Sequence, residues 1–132
     1  MIGLDTSVVL RLLTGQPAKE ASVARKRLER AVTEDEEILV TDLVLGEAYF
    51  ALHYHYGTTK TEARQRILAM LRSNIVSAHP PEAVHAFEAE GGAGVLDRLI
   101  HERHRNIGAT TLTFDKRMAS LEGAVKLSTR AA

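Results

Sequence analysis

The sequence has no cysteine and no tryptophan, and only three prolines, three tyrosines and three phenylalanines among 132 residues. Without cysteine there are no disulfides and no thiolate metal sites. That absence is compatible with a reducing compartment, and a cytoplasmic location is expected. No apolar run approaches the roughly 20 residues needed to span a membrane. No basic stretch precedes an apolar core at the N-terminus, so no secretory signal is expected. Excess charge is also missing, since 17 Lys plus Arg balance 17 Asp plus Glu. With no global pull toward nucleic acid, any such binding must come from a local patch. Repeats, low-complexity tracts and linkers are absent.

What is present is an ordinary globular balance, 45% hydrophobic and 26% charged, which excludes a disordered chain. The length fits a single domain over residues 1–132. Strand and helix signals alternate. Ile2-Gly3-Leu4 is a short apolar run ending on Asp5, and Thr6 or Ser7 can cap the helix carrying Val8, Val9, Leu12 and Leu13. Gly15-Gln16-Pro17 stops that helix. An amphipathic helix follows over roughly Ala18 to Val32, with Ala21, Ala24, Leu28 and Ala31 on one face. Ile38 to Val40 reads as a strand, and Asp42 as the cap of the next helix. Thr59 to Glu62 has capping-box spacing ahead of Ile67, Leu68 and Leu71. Ile75-Val76 is an expected strand, and Pro81 suits the start of a helix holding Val84 and Phe87. After Gly91 to Gly94, Val95 to Arg105 is helical, with Leu96, Leu99 and Ile100 expected toward the core. Ala109 to Thr113 is an expected strand, followed by a short helix from Lys116 and a closing strand at Ala124 to Leu127.

Alternating strands and helices imply parallel strands joined by crossovers. The fold class is therefore α/β, a three-layer α/β/α sandwich around a central parallel sheet. Ligands of such sheets bind beyond the carboxyl ends of the strands. Asp5 and Asp115 each follow an apolar strand, which places both at that edge. Glu47 lies within an apolar helix, one turn after Val44 and one turn before Ala51, and is expected to tend inward, where a carboxylate needs a partner or a metal. Asp97 sits in the first turn of its helix. Each acid also has a plainer role: helix capping for Asp5, Asp97 and Asp115, and an arginine partner for Glu47. If the four converge, their mutual repulsion calls for a cation. All-oxygen ligands suit Mg²⁺ or Mn²⁺, as one ion or two. Such ions bind phosphate oxygens and activate water, which points to phosphodiester hydrolysis.

At these residues the chain resembles the PIN-domain ribonucleases, and specifically the VapC toxins of bacterial toxin–antitoxin pairs. The stretches that carry the likeness are Met1 to Leu13 around Asp5, Leu43 to Leu52 around Glu47, Val95 to Ile100 around Asp97, and Leu112 to Met118 around Asp115. They occur in the family's order and span nearly the whole chain. The resemblance implies a Mg²⁺- or Mn²⁺-dependent endoribonuclease in which Asp5, Glu47, Asp97 and Asp115 are the catalytic metal ligands. It also implies a homodimer, inhibition by a cognate antitoxin, and contact with operator DNA only through that antitoxin. Two departures stand out. Ser7 occupies a position where the family often has Asn, and glycines precede Asp97 where many relatives carry aromatic and acidic residues.

Around the acids, Ser7, Thr113, Arg98, Lys116 and Arg117 are candidates for positioning substrate phosphate, with Arg11 a weaker one. Asp97, His101 and His104 share helical spacing, but the nearby arginines and apolar residues favour solvated histidines over a zinc site. Arg25 to Arg27 and Arg30 read as a solvated face. Tyr49, Phe50 and Tyr54 suit core or dimer contacts better than base stacking. Three rival functions are compatible with acids at a sheet edge. An aspartate-based phosphohydrolase would use Asp5 as nucleophile, but position 7 is serine where a second aspartate is usual. A phosphoacceptor signalling domain needs paired acids near its start. A non-catalytic RNA- or protein-binding module on the same fold would bind RNA without cleaving it.

Overall fold

The structure is a computed structural model and describes residues 1–129; residues 130–132 of the predicted domain lie outside the described residues. The expected three-layer α/β/α arrangement with parallel strands is the one adopted. Strand β1 (Ile2–Gly3) pairs with β2 (Ile38–Thr41), Ile2 opposite Ile38. On its other side β2 pairs with β3 (Ser77–His79), Thr41 opposite His79. Helices α1 (Thr6–Thr14) and α2 (Ala18–Thr33) cross from β1 to β2, and α3 (Asp42–Tyr54) and α4 (Lys60–Leu71) cross from β2 to β3. A 3₁₀ turn (Pro81–Val84), α5 (His85–Glu88) and α6 (Val95–Asn106) follow. The chain closes with β4 (Leu112–Thr113), α7 (Lys116–Ala119) and β5 (Val125–Lys126). Among the described residues, β4 and β5 pair in parallel with each other and form a ladder separate from the three-stranded sheet. The central sheet is thus two ladders where one was expected.

One apolar cluster holds the fold together. Ile38 and Val40 of β2, Leu45 and Leu52 of α3, Ile67 of α4 and Phe87 of α5 are all buried in it. Each such side chain contributes about 1.5–3 kcal/mol by leaving water. The helix ends follow local chemistry. Thr59 Oγ1 accepts from the Glu62 amide at 3.1 Å, as the capping-box spacing predicts. Gly15 ends α1 with φ of 70°, the left-handed C-cap conformation glycine adopts without strain.

Four local expectations change. The cap of α3 is Thr41, whose Oγ1 accepts from the Val44 amide, so Asp42 is the first helical residue and its carboxylate is free for another partner. Neither Thr6 nor Ser7 caps α1, because the N-cap position falls to Asp5, which makes no side-chain capping bond. The third strand begins at Ser77, immediately after Ile75-Val76, since backbone register with Leu39 decides the pairing of an edge strand. The last strands are also shorter than expected, and Ala109 instead donates to the His104 carbonyl just past the end of α6.

Candidate active site

Asp5 leaves β1 where the Leu4 amide donates to the Leu39 carbonyl at 2.9 Å. Leu4 is buried and anchors the strand end, while Asp5 itself is exposed. Among the described residues its only side-chain bond is a long one, from the Ser7 hydroxyl at 3.3 Å. The Thr6 hydroxyl beside it is buried and has no hydrogen-bond partner among the described residues, and Thr6 is one of the residues lining a groove of about 740 Å³.

That groove runs between α3 and α6. Glu47 and Leu43 line it from α3, and Leu96 and Ile100 from α6. Glu47 was expected to turn inward and does not: it is exposed. The core face of α3 is instead Leu45, Ala48 and Leu52, and Leu43, Glu47 and Phe50 share the opposite, groove-facing side. Leu96 and Ile100 are likewise not core residues, at 41% and 49% exposure; Leu99 alone of the three is buried. The two helices approach closely because Gly46 has no side chain. A Cβ there would stand 3.1 Å from Leu96 Cδ2 and 3.4 Å from Leu99 Cδ1. This close approach sets Glu47 and the half-buried Asp97, each one residue along from the contact, on adjoining helices.

At the other end of the same crossing, Arg103 of α6 grips Asp42 of α3 with two nitrogens. Nε donates to Oδ2 at 2.8 Å and Nη2 to Oδ1. Asp42 is buried, and Oδ1 also accepts from the Leu43 amide at 2.9 Å. Hydrogen bonding to Asp42 and its negative charge hold the Arg103 guanidinium above the usual arginine range. Sequence reasoning assigned neither residue this role, and a separation of 61 residues leaves no local signal for it.

Asp115 lies on the separate β4–α7–β5 unit. Its Oδ1 accepts from the Met118 amide at 2.9 Å, capping α7, and its own amide donates to Thr113 Oγ1 at 2.9 Å. The plainer capping role is therefore realised. The expected solvation of His101 is not, as it is 3% exposed and both ring nitrogens are hydrogen-bonded. Arg98 is also committed locally: Nε and Nη2 donate to the Ala93 and Gly91 carbonyls at 3.0 Å each, tying down the glycine-rich loop. Arg11 pairs with Glu20 at 3.0 Å. Lys116 and Arg117 are exposed beside Asp115 and make no side-chain ion pair among the described residues.

The four acids are not gathered at one point. Among the described residues no group of three or more Asp, Glu, His or Cys side chains stands close enough to hold a metal ion. The donor chemistry nonetheless fits a hard divalent ion. Basic residues equal acidic ones in number. Yet the ion pairs of the described residues engage Glu20, Glu34, Glu36, Asp42, Glu88 and Glu90, and none engages Asp5, Glu47, Asp97 or Asp115. Each of the four is thus a carboxylate oxygen donor with its charge unspent, the kind of ligand a hard ion takes, as are several other acids that no ion pair among the described residues engages. No described helix is long and apolar enough to cross a membrane.

Comparison with known proteins identifies the family. Neither the curated proteins nor the solved structures give a match. The PIN-domain family model matches residues 2–124, which takes in all four acids and every described strand but β5. The chain belongs to the PIN-domain family.

Proposed function

We propose that this protein is a divalent-metal-dependent endoribonuclease of the VapC toxin type. The observation that carries the reading is that the matched PIN-domain region spans Asp5, Glu47, Asp97 and Asp115, and among the described residues no ion pair engages any of the four. These four residues would hold Mg²⁺ or Mn²⁺. A bound ion supplies Lewis acidity to a phosphodiester and a nucleophile at neutral pH. The chain's own groups bind and orient. The Ser7 hydroxyl steadies the Asp5 carboxylate, Thr113 fixes the backbone at Asp115, and Lys116 and Arg117 offer exposed cations for flanking phosphates. Arg98 serves by ordering the loop ahead of Asp97. A second copy of the chain and a cognate antitoxin belong to the same proposal. The exposed Leu43, Phe50, Leu96 and Ile100 along the groove support protein contact there.

The test is RNA cleavage by the purified, antitoxin-free protein with Mg²⁺ or Mn²⁺ and with chelator. Wild type is expected to cut in an ion-dependent way. Asp5→Asn is expected to lose more than about a hundredfold in rate, beyond what outer-shell partners of metal ligands are worth. Absence of cleavage by wild type, or an undiminished Asp5→Asn variant, overturns the nuclease reading. Growth arrest on induction that Asp5→Ala abolishes supports the toxin assignment.

A further inference from the structure

The β4–α7–β5 unit carries Asp115 yet has little apolar anchorage. Leu112 and Phe114 are 61% and 66% exposed, and Val125 is 46% exposed. Met118 is the buried apolar side chain of its short helix. What ties the unit to α6 is polar. His101 reaches Thr111 Oγ1 through Nδ1 at 2.7 Å and the Glu122 carbonyl through Nε2 at 2.7 Å. His104 Nδ1 meets the same Thr111 hydroxyl at 2.8 Å.

The protons follow from chemistry. A carbonyl only accepts, so His101 Nε2 carries the hydrogen and, in the neutral ring, Nδ1 accepts. The Thr111 hydroxyl then donates to His101 Nδ1 and accepts from His104 Nδ1–H. Every donor in the chain of bonds meets an acceptor. Thr111 and His101, at 2% and 3% exposure, are buried, so loss of any member leaves a buried polar group unpaired. Thr111 and Glu122 bracket residues 112–121, the segment that contains Thr113, Asp115, Lys116 and Arg117. One imidazole thus holds both ends of that segment. Near the start of α6, a Cβ on Gly92 would lie 3.9 Å from Ser120 Oγ, so the segment also passes the loop that leads into Asp97.

We propose that His101, completed by Thr111 and His104, is a positioning residue that clamps the Asp115 segment onto the helix bearing Asp97. It touches neither ion nor RNA, and acts through Asp115. The inference rests on the proposed metal-dependent reading of the acids, but the clamp itself can be measured without an ion.

The test compares Thr111→Val, which keeps the shape and removes the hydroxyl, with Thr111→Ser, which restores it. The amides of Val125 and Leu127 donate to the Thr111 and Thr113 carbonyls at 2.8 and 2.7 Å. In ion-free protein, Thr111→Val is expected to speed hydrogen exchange at these two amides about tenfold, the size set by one unpaired buried group. The amides of β2 should keep wild-type rates, and Thr111→Ser should stay near wild type. Mn²⁺ binding, measured by calorimetry, should weaken about tenfold in Thr111→Val, with no further loss when the substitution is made in Asp115→Asn. Unchanged exchange at Val125 and Leu127, or an equal Mn²⁺ loss in the Asp115→Asn background, overturns the proposal. A wild-type protein that binds no Mn²⁺ overturns the acidic-site reading, and with it any role of the clamp toward Asp115. The exchange rates tell that failure apart from a failure of the clamp.

Discussion

Asp5 and Asp115 look alike in the sequence, each closing a short apolar strand and opening a helix, but their surroundings differ. The strand before Asp5 belongs to the three-stranded sheet, and Leu4 is buried in the main core. Asp5 makes no capping bond, and among the described residues its carboxylate is free except for the Ser7 hydroxyl. The strand before Asp115 lies in the separate two-stranded ladder with Leu112 facing water. Its carboxylate is spent in part on the Met118 amide. A strand-end aspartate on a packed sheet can be devoted to a ligand, because the core holds the strand. One on a lightly packed unit also helps to build the helix after it, and depends on polar anchors such as His101.

The comparison can be broken in three further ways. The largest expected stability difference is between the two strands. Leu4→Ala should cost about 2–5 kcal/mol, as for a core leucine. Leu112→Ala should stay within about 0.5 kcal/mol, as for a surface site. Chemical denaturation of both variants decides this, and equal losses would mean that β4 is packed as firmly as β1. Next, Asp115→Ala should lose both cleavage and about 1 kcal/mol of helix-cap stability, whereas Asp115→Ser should keep the melting temperature and still lose cleavage. A serine variant that cleaves normally would leave Asp115 with its cap role alone. The smallest effect is expected from Ser7→Ala, because an exposed 3.3 Å bond is weak. Its cleavage rate should fall no more than about twofold, matching a change within 0.5 kcal/mol. A loss as large as that of Asp5→Asn would make the hydroxyl a ligand-positioning group in its own right.

Much of this was legible in the residues because it is local. The 3.6-residue spacing of Ala21, Ala24 and Ala31 marks the buried face of α2. The Thr59–Glu62 spacing marks a cap, and the four acids stand out by position. Glu47 was misread because α3 is apolar on most sides, so periodicity alone could not say which face met the core. Leu96 and Ile100 were misread for a related reason. An apolar residue beside Leu99 can line a groove as readily as a core, and only the packing partner of α6 decides.

The sequence by itself determined an α/β domain with parallel strands, its main helices and the identity of the four candidate acids, since composition, periodicity and capping act over a few residues. Tertiary structure alone decided that the strands form two ladders, that Glu47 faces a groove, that Arg103 reaches Asp42, and that a buried His101 holds the segment carrying Asp115. Each of these depends on backbone register or on a pairing between distant parts of the chain. Such pairings are chosen by how the elements pack, and no local pattern of residues encodes them.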